Sequence, residues 1–289
     1  AKRTIYLNDK KIPSFLGFEN SHFLKLFSRI AQTVLGLVKP DTAARTFSAL
    51  NMKRYGHHSK SLLLSSIAGY VDAPLSFDMI YCHFGFNGIL AMKLRELGVL
   101  SGNIATIFHG YEISAEKALK NYRQDYLQLF NKTELMLPIS ELWKNKLTSL
   151  GCDEGKIRVH RMGVDLKHFK YQPSKKSEGT KAEMRLFTVA RFSKKKGLEY
   201  AIRALSLLPA GVDFHYYLGG YGELYDDLRA LVSQLGLQGK VTFLGALNQQ
   251  QVKVQMTKAD VFIQPSVTAE NGDMEGVPVA IMESMAVGT

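Results

Sequence analysis

At 289 residues the chain is too long for one small core and suits two α/β domains of ordinary size. With 46% hydrophobic and 22% charged residues and no low-complexity tract, its composition excludes disorder, and no apolar run approaches the roughly 20 residues needed to span a bilayer. The net charge of +11 lies wholly in residues 1–180, with 26 Lys and Arg against 15 Asp and Glu, which speaks for an anionic partner such as a membrane surface or a phosphate-bearing acceptor; no segment resembles a nucleic-acid module.

The start, Ala1-Lys-Arg-Thr-Ile-Tyr6, lacks an initiating Met, a long apolar region and a small-residue cleavage site, so it is no secretory signal, and the native N-terminus is expected to be missing. The basic stretch Phe18–Lys39 spaces Phe23, Leu26, Phe27, Ile30, Val34 and Leu37 at helical intervals, with Lys25 and Arg29 off that face. Residues 1–60 hold 11 Lys and Arg against 3 Asp and Glu, which suits an amphipathic helix on anionic lipid, although a core helix accounts for the periodicity equally well.

From Asp78 onward, β-rich runs at 79–84, 104–108, 134–139 and 157–160 alternate with helical patterns such as 90–97, the mark of a parallel sheet with crossover helices. Cys82 and Cys152 lie far apart, each in or beside a regular element, which predicts reduced thiols, no disulfide and no zinc site. The polar, Pro- and Gly-containing stretch 171–182 reads as a linker between a first domain at 1–170 and a second at 183–289. A second series follows, with strands at 186–190, 214–218, 241–244 and 261–263 and helices near 198–208, 224–235, 249–256 and 278–285, which predicts another doubly wound domain. The chain stops at Ala286-Val-Gly-Thr289 before a further strand, so truncation is expected at both ends.

In open sheets of this kind ligands bind beyond the carboxyl ends of the strands, which places Arg191, Gly219-Gly-Tyr-Gly222, Gly245 and residues 265–276 in the expected site. Glu275 and Glu283 stand eight apart, with Gly276 and Pro278 opening a helix whose free N–H groups form an anion site. Glu275 in the loop can face a sugar hydroxyl, and Glu283, about two turns into the helix, can accept from both ribose hydroxyls. Arg191 and Lys196 are spaced to converge on a phosphate pair, although Lys194-Lys-Lys196 also reads as a solvated surface run. His109 ends a β-rich run; a histidine satisfied at a strand end is its plain reading, and His83 before Phe84-Gly85 could equally cap a loop. The cluster Gly219-Gly-Tyr-Gly222 allows close backbone approach but is not a dinucleotide fingerprint, because G-x-G-x-x-G is absent.

The run Asp273-Met-Glu-Gly-Val-Pro-Val-Ala-Ile-Met-Glu-Ser-Met-Ala286 resembles the E-x7-E signature of a large family of retaining glycosyltransferases, group 1 or family 4, with the glycosyltransferase-B fold. Thr106-Ile-Phe-His-Gly110, Pro138-Ile-Ser140, Met162-Gly-Val-Asp165, Val189-Ala-Arg191, Lys196-Gly197 and Gly219-Gly-Tyr-Gly222 match that family in order, over roughly residues 78–289. His83-Phe-Gly85, Phe108-His-Gly-Tyr-Glu112 and Glu270-Asn-Gly-Asp-Met-Glu-Gly-Val-Pro-Val279 are most similar to bacterial colanic-acid and amylovoran-type exopolysaccharide enzymes.

The resemblance implies two doubly wound, Rossmann-like α/β domains facing across a cleft, the first binding acceptor and the second a nucleoside-diphosphate sugar. It implies metal-independent transfer with retention onto a growing exopolysaccharide or lipid-linked oligosaccharide, with no cofactor, in a cytoplasmic protein that touches the inner face of the plasma membrane. Arg191, Lys196, Glu275 and His109 would carry the reaction, with Gly220, Gly245, Ala246, Gly276, Val277 and Glu283 holding the donor and His83, Gly110 and Ser140 on the acceptor side. The rival readings are a nucleotide-sugar epimerase or phosphorylase on the same scaffold, or a silent nucleotide-binding fragment.

Overall fold

The computed structural model describes residues 22–172 and 183–289, so the expected linker falls almost entirely outside the described residues, as do the first 21 residues. The chain divides into two units, residues 1–112 with 121–159 and residues 113–120 with 160–289.

In the first unit a helical layer precedes the sheet: α1 (His22–Val38), α2 (Pro40–Ala49), α3 (Met52–Tyr55), α4 (His57–Lys60) and α5 (Leu63–Tyr70). Then come β1 (Leu75–His83), α6 (Gly85–Glu96), β2 (Leu100–Phe108), α7 (Tyr111–Ser114), α8 (Glu116–Lys132), β3 (Leu135–Pro138) and α9 (Glu141–Ser149). The last residues of α7 and the start of α8 belong to the second unit. The sheet has the order β1-β2-β3, all parallel, in register Ile80 to Ile104 and Thr106 to Met136. The expected fourth strand at 157–160 is not formed: Ile157 makes one parallel bridge to Met136, the Arg158 amide bonds the Met136 carbonyl at 3.0 Å, and pairing ends there.

Helix α1 is built inside out. Leu26, Phe27, Ile30, Val34 and Leu37 are exposed, whereas Thr33 and Gly36 are buried. It crosses α5 through its glycine: a Cβ on Gly36 would stand 2.3 Å from the Gly69 Cα. Polar side chains line the same crossing, with Thr33 Oγ1 2.9 Å from Ser65 Oγ and Thr42 Oγ1 donating to the Gly36 carbonyl at 2.7 Å. The core-helix alternative therefore fails for these apolar side chains, which face away from α5.

The second unit alternates β4 (Met184–Val189), α10 (Leu198–Ser206), β5 (Phe214–Gly219), α11 (Tyr225–Gln234), β6 (Val241–Gly245), α12 (Gln249–Lys258), β7 (Val261–Phe262) and α13 (Val279–Val287). Its sheet runs β6-β5-β4-β7, all parallel. Leu186, Tyr216 and Leu218 pack under α10 and α11 on one face, and Phe187, Val252, Met256 and Val287 fill the other. Burial on both faces is why these strands read as near-continuous apolar runs. Helix α10 buries Leu198, Ala201, Ile202 and Leu205, the three-and-four spacing of one helical stripe. Asn248 caps α12 with Gln251 in a reciprocal box.

Cys82 and Cys152 are free and buried, which pushes their thiols up to about 12 and about 11. No helix among the described residues is long and apolar enough to cross a membrane.

Candidate functional site

In the second unit the carboxyl ends of β4, β5 and β6 are laced together by backbone. The Ala190 amide donates to Gly219 O, Gly220 N to Gly245 O at 2.7 Å, and Phe192 N to Tyr221 O. Such closeness demands glycine. Gly220 has φ of +124° and a Cβ there would stand 1.9 Å from the Ala190 carbonyl oxygen, while one on Gly222 would lie 2.4 Å from that of Phe192. Gly245 turns with φ of +69°, and Ala246 after it is exposed.

Arg191 leaves the end of β4 into solvent, 76% exposed, with its guanidinium 3.4 Å from the Glu223 carboxylate. The next turn is a short 3-10 segment, Lys194–Lys196, and its three lysines engage the loop after β7 one by one. Lys194 lies 3.8 Å from Glu270, Lys195 3.2 Å from Asp273, and Lys196 2.5 Å from Glu275. The first pair is exposed and weak; the other two are largely shielded from water, which preserves their attraction. Backbone fixes the same approach, since Val267 N donates to Lys195 O at 2.9 Å and Gly197, at φ of +62°, leaves no room for a Cβ beside the Pro265 carbonyl. Lys195 and Lys196 are thus ion-paired and shielded, while Lys194 stays in solvent.

The loop from 265 to 278 has further supports. Ser266 Oγ bonds Gln264 Nε2 at 2.9 Å and lies 3.4 Å from Glu275 Oε2. The Met274 amide reaches Ser114 Oγ at 3.3 Å, and the Glu116 amide donates to Asn271 O at 3.1 Å. Gly276 and Val277 are half-buried and outside any helix or strand, and α13 begins only at Val279, with extended Pro278 as its cap. Glu283 is consequently just over one turn into the helix, not about two, because the backbone through Pro278 is not helical. Burial raises the Glu283 carboxyl above its ordinary range, with nearby His168 opposing.

In the first unit His83 at the end of β1 and His109 after β2 come together, Nδ1 to Nε2 at 3.1 Å with rings stacked at 5.3 Å and 21°. Phe84 packs on His109 with centroids 4.5 Å apart, from a left-handed backbone of φ +70° that is uncommon for a non-glycine residue. Burial and the neighbouring His83 lower the His109 pKa. Gly110 lies buried against Trp143, with φ of +116°. Ser140 caps α9, accepting from the Trp143 amide at 3.4 Å.

Sequence reasoning passed over Glu112, Asp273, Lys195 and Ser266. Glu112 and Asp273 stand inside quoted motifs, but only folding reveals the groups they meet. Among the described residues no group of three or more His, Cys, Asp and Glu is placed to hold a metal ion.

Residues 171–289 match the family described as glycosyl transferases group 1. Over this segment the chain is similar to a group 1 glycosyltransferase domain. The chain is 46% identical over 265 residues to a colanic acid biosynthesis glycosyltransferase, WcaL, of Escherichia coli K12, and 41% identical to the amylovoran biosynthesis glycosyltransferase AmsK of Erwinia amylovora. Each alignment covers 91% of this chain, which spans 64% and 63% of those relatives' lengths. Among solved structures, Anabaena HepE in complex with UDP and glucose superposes with a TM-score of 0.63 at 19% identity, over 81% of this chain and 63% of that one. A sucrose-phosphate synthase of Thermosynechococcus elongatus gives 0.60 at 20% identity, over 74% and 55%. These likenesses show the expected glycosyltransferase-B fold of two parallel-sheet domains, the second of them containing the segment that matches the group 1 model.

Proposed function

We propose that the protein transfers a sugar from a nucleoside-diphosphate sugar to an exopolysaccharide acceptor. The observation that carries this is the engagement of Lys195 and Lys196 with Asp273 and Glu275 at the strand ends of the group 1 domain. It supports a site where two partly buried cations and the start of α13 receive a diphosphate while Glu275 orients the sugar. Glu283 would hold the ribose, Gly245 and Ala246 would lie beside the base, and Gly220, Gly276 and Val277 would bring backbone against the donor. The relatives named for colanic acid and amylovoran biosynthesis support the acceptor class.

In the proposed reaction the bond between the anomeric carbon and the diphosphate oxygen breaks, and the acceptor oxygen bonds that carbon from the same face, giving retention. The acceptor proton passes to the departing phosphate, so Arg191 and Lys196 need only stabilise its growing charge, in place of a metal. His109 would hydrogen-bond near the reacting centre, and His83, Gly110 and Ser140 would lie on the acceptor side, which assigns acceptor binding to the first unit. The test is a panel of uridine-, guanosine- and adenosine-diphosphate sugars with exopolysaccharide intermediates, reading released diphosphate and product mass with and without chelator. A retained-configuration product insensitive to chelator is expected. Donor interconversion without acceptor, or an inverted product, would replace the reading with a rival.

The exposed apolar side of α1 supports an inner-membrane contact for a lipid-linked acceptor in the cytoplasm. Its large side chains point out while threonine and glycine face in, the pattern of helices adapted to a lipid environment. Binding to vesicles containing phosphatidylglycerol should be lost in a Phe27→Ser, Ile30→Ser, Val34→Ser variant; retained binding removes this part.

A further inference from the structure

Glu112 is a fully buried carboxylate to which the proposed reaction gives no part. Its Oε1 accepts from the His109 amide at 2.8 Å, and the amides of Gly110, Gly85 and Glu112 itself also face the carboxylate. Oε2 has no partner within hydrogen-bonding geometry. These amides come from two places, the turn after β2 that carries His109 and the start of α6 directly after His83-Phe84. Glycine at both positions makes room: a Cβ on Gly85 would stand 2.6 Å from the Tyr126 ring and 2.7 Å from that of Phe108, and one on Gly110 would stand 2.8 Å from Trp143. Tyr126 closes the pocket, donating to the Glu112 carbonyl at 3.0 Å.

A buried carboxylate is costly, and burial raises this one above its ordinary range while the facing amides pull it back. Such a group in a polar nest is retained where it holds something that an apolar side chain could not. Here it spans the ends of β1 and β2, the two strands whose terminal histidines stack. Resting on the proposed function, we infer that Glu112 is a positioning residue which fixes the His83–His109 pair by tying their two backbone turns to one carboxylate. Strand pairing aligns the two ends as far as His83 opposite Ile107, with the Phe84 amide on the Ile107 carbonyl at 2.8 Å; beyond it the His83 ring is exposed and Phe84 holds His109 from one side only, so the turn that carries His109 is left to Glu112.

The test compares Glu112→Gln and Glu112→Asp with the unsubstituted protein by thermal melting, by nitrogen-15 spectra of the histidine rings, and by steady-state transfer from the accepted donor. Glu112→Gln removes the negative charge that the converging N–H groups face, and its carbonyl oxygen can keep only the His109 bond. The His109 ring resonances should therefore move, and turnover should fall about 10- to 100-fold with donor KM changed by less than about threefold. Glu112→Asp keeps the charge but withdraws it by one methylene, and should give a smaller loss in the same direction; it carries the same readouts if Glu112→Gln does not fold. A folded variant with unmoved ring resonances, or a loss that merely follows the unfolded fraction, overturns the inference. Absence of any transfer by the unsubstituted protein defeats the proposed function instead, and the ring spectra still decide the positioning role.

Discussion

Replacing Lys196 by Met and Glu275 by Gln, singly and together, isolates the ion pair on which the donor-site reading rests. The two charges are 2.5 Å apart, and their side chains are 17% and 20% exposed. Direct attraction at an effective dielectric of about 20 is of the order of 7 kcal/mol, but removing both ions from water offsets most of it. A coupling of about 1–3 kcal/mol should remain. Ser266 at 3.4 Å is too distant to replace the ammonium, so Lys196→Met should cost more than the double variant requires. Urea unfolding at neutral pH measures the cycle, and a coupling below about 0.5 kcal/mol would show that the pair is incidental. Titration with UDP gives the second reading. Lys196→Met should weaken binding about 10- to 100-fold, the worth of one hydrogen bond to a charged group, while Glu275→Gln, which frees the lysine, should not. Unchanged UDP affinity in Lys196→Met would refute its assignment to the diphosphate.

Three other outcomes are expected. Gly220→Ala places a methyl against the Ala190 carbonyl at a backbone angle suited to glycine, and should destabilise by about 2–4 kcal/mol in urea; a change within about 0.5 kcal/mol contradicts the close approach. Burial and the Lys93 ammonium lower the His58 pKa to about 4, beside the buried Lys93–Asp125 ion pair. Because the unfolded chain takes this proton first, stability from His58 is complete above about pH 6.5 and is lost, by about 3 kcal/mol, as pH falls towards 4. The stability difference between the unsubstituted protein and His58→Gln should narrow over that window, and a constant difference excludes a neutral buried His58. On the proposed role of its charge at the departing diphosphate, Arg191→Ala should lower turnover more than donor binding; unchanged turnover removes that role.

Strand alternation, the glycine-rich strand ends and the run from Glu275 to Glu283 were legible along the chain because each depends on local spacing and backbone need. The β-rich run at 157–160 forms no strand, because its neighbour β3 ends at Pro138, which has no N–H to give the next ladder bond, and one bridge at Ile157 exhausts the pairing. Helix α1 shows the same division. Its three-to-four periodicity fixed an amphipathic helix, but not which face turns inward, because glycine and threonine carry no strong hydropathy signal and their packing is seen only against Gly69 and Ser65.

By itself the sequence determined the α/β class, the positions of the strand ends and the chemical types gathered there: Arg191, three lysines, two glutamates and two histidines. Tertiary structure alone decided who meets whom. Lys195 chooses Asp273 and Lys196 chooses Glu275 across 78 and 79 residues of chain, and His83 meets His109 across 26. Such pairings follow from parallel strands ending at one edge of a sheet, and that edge exists only after the crossover helices have packed.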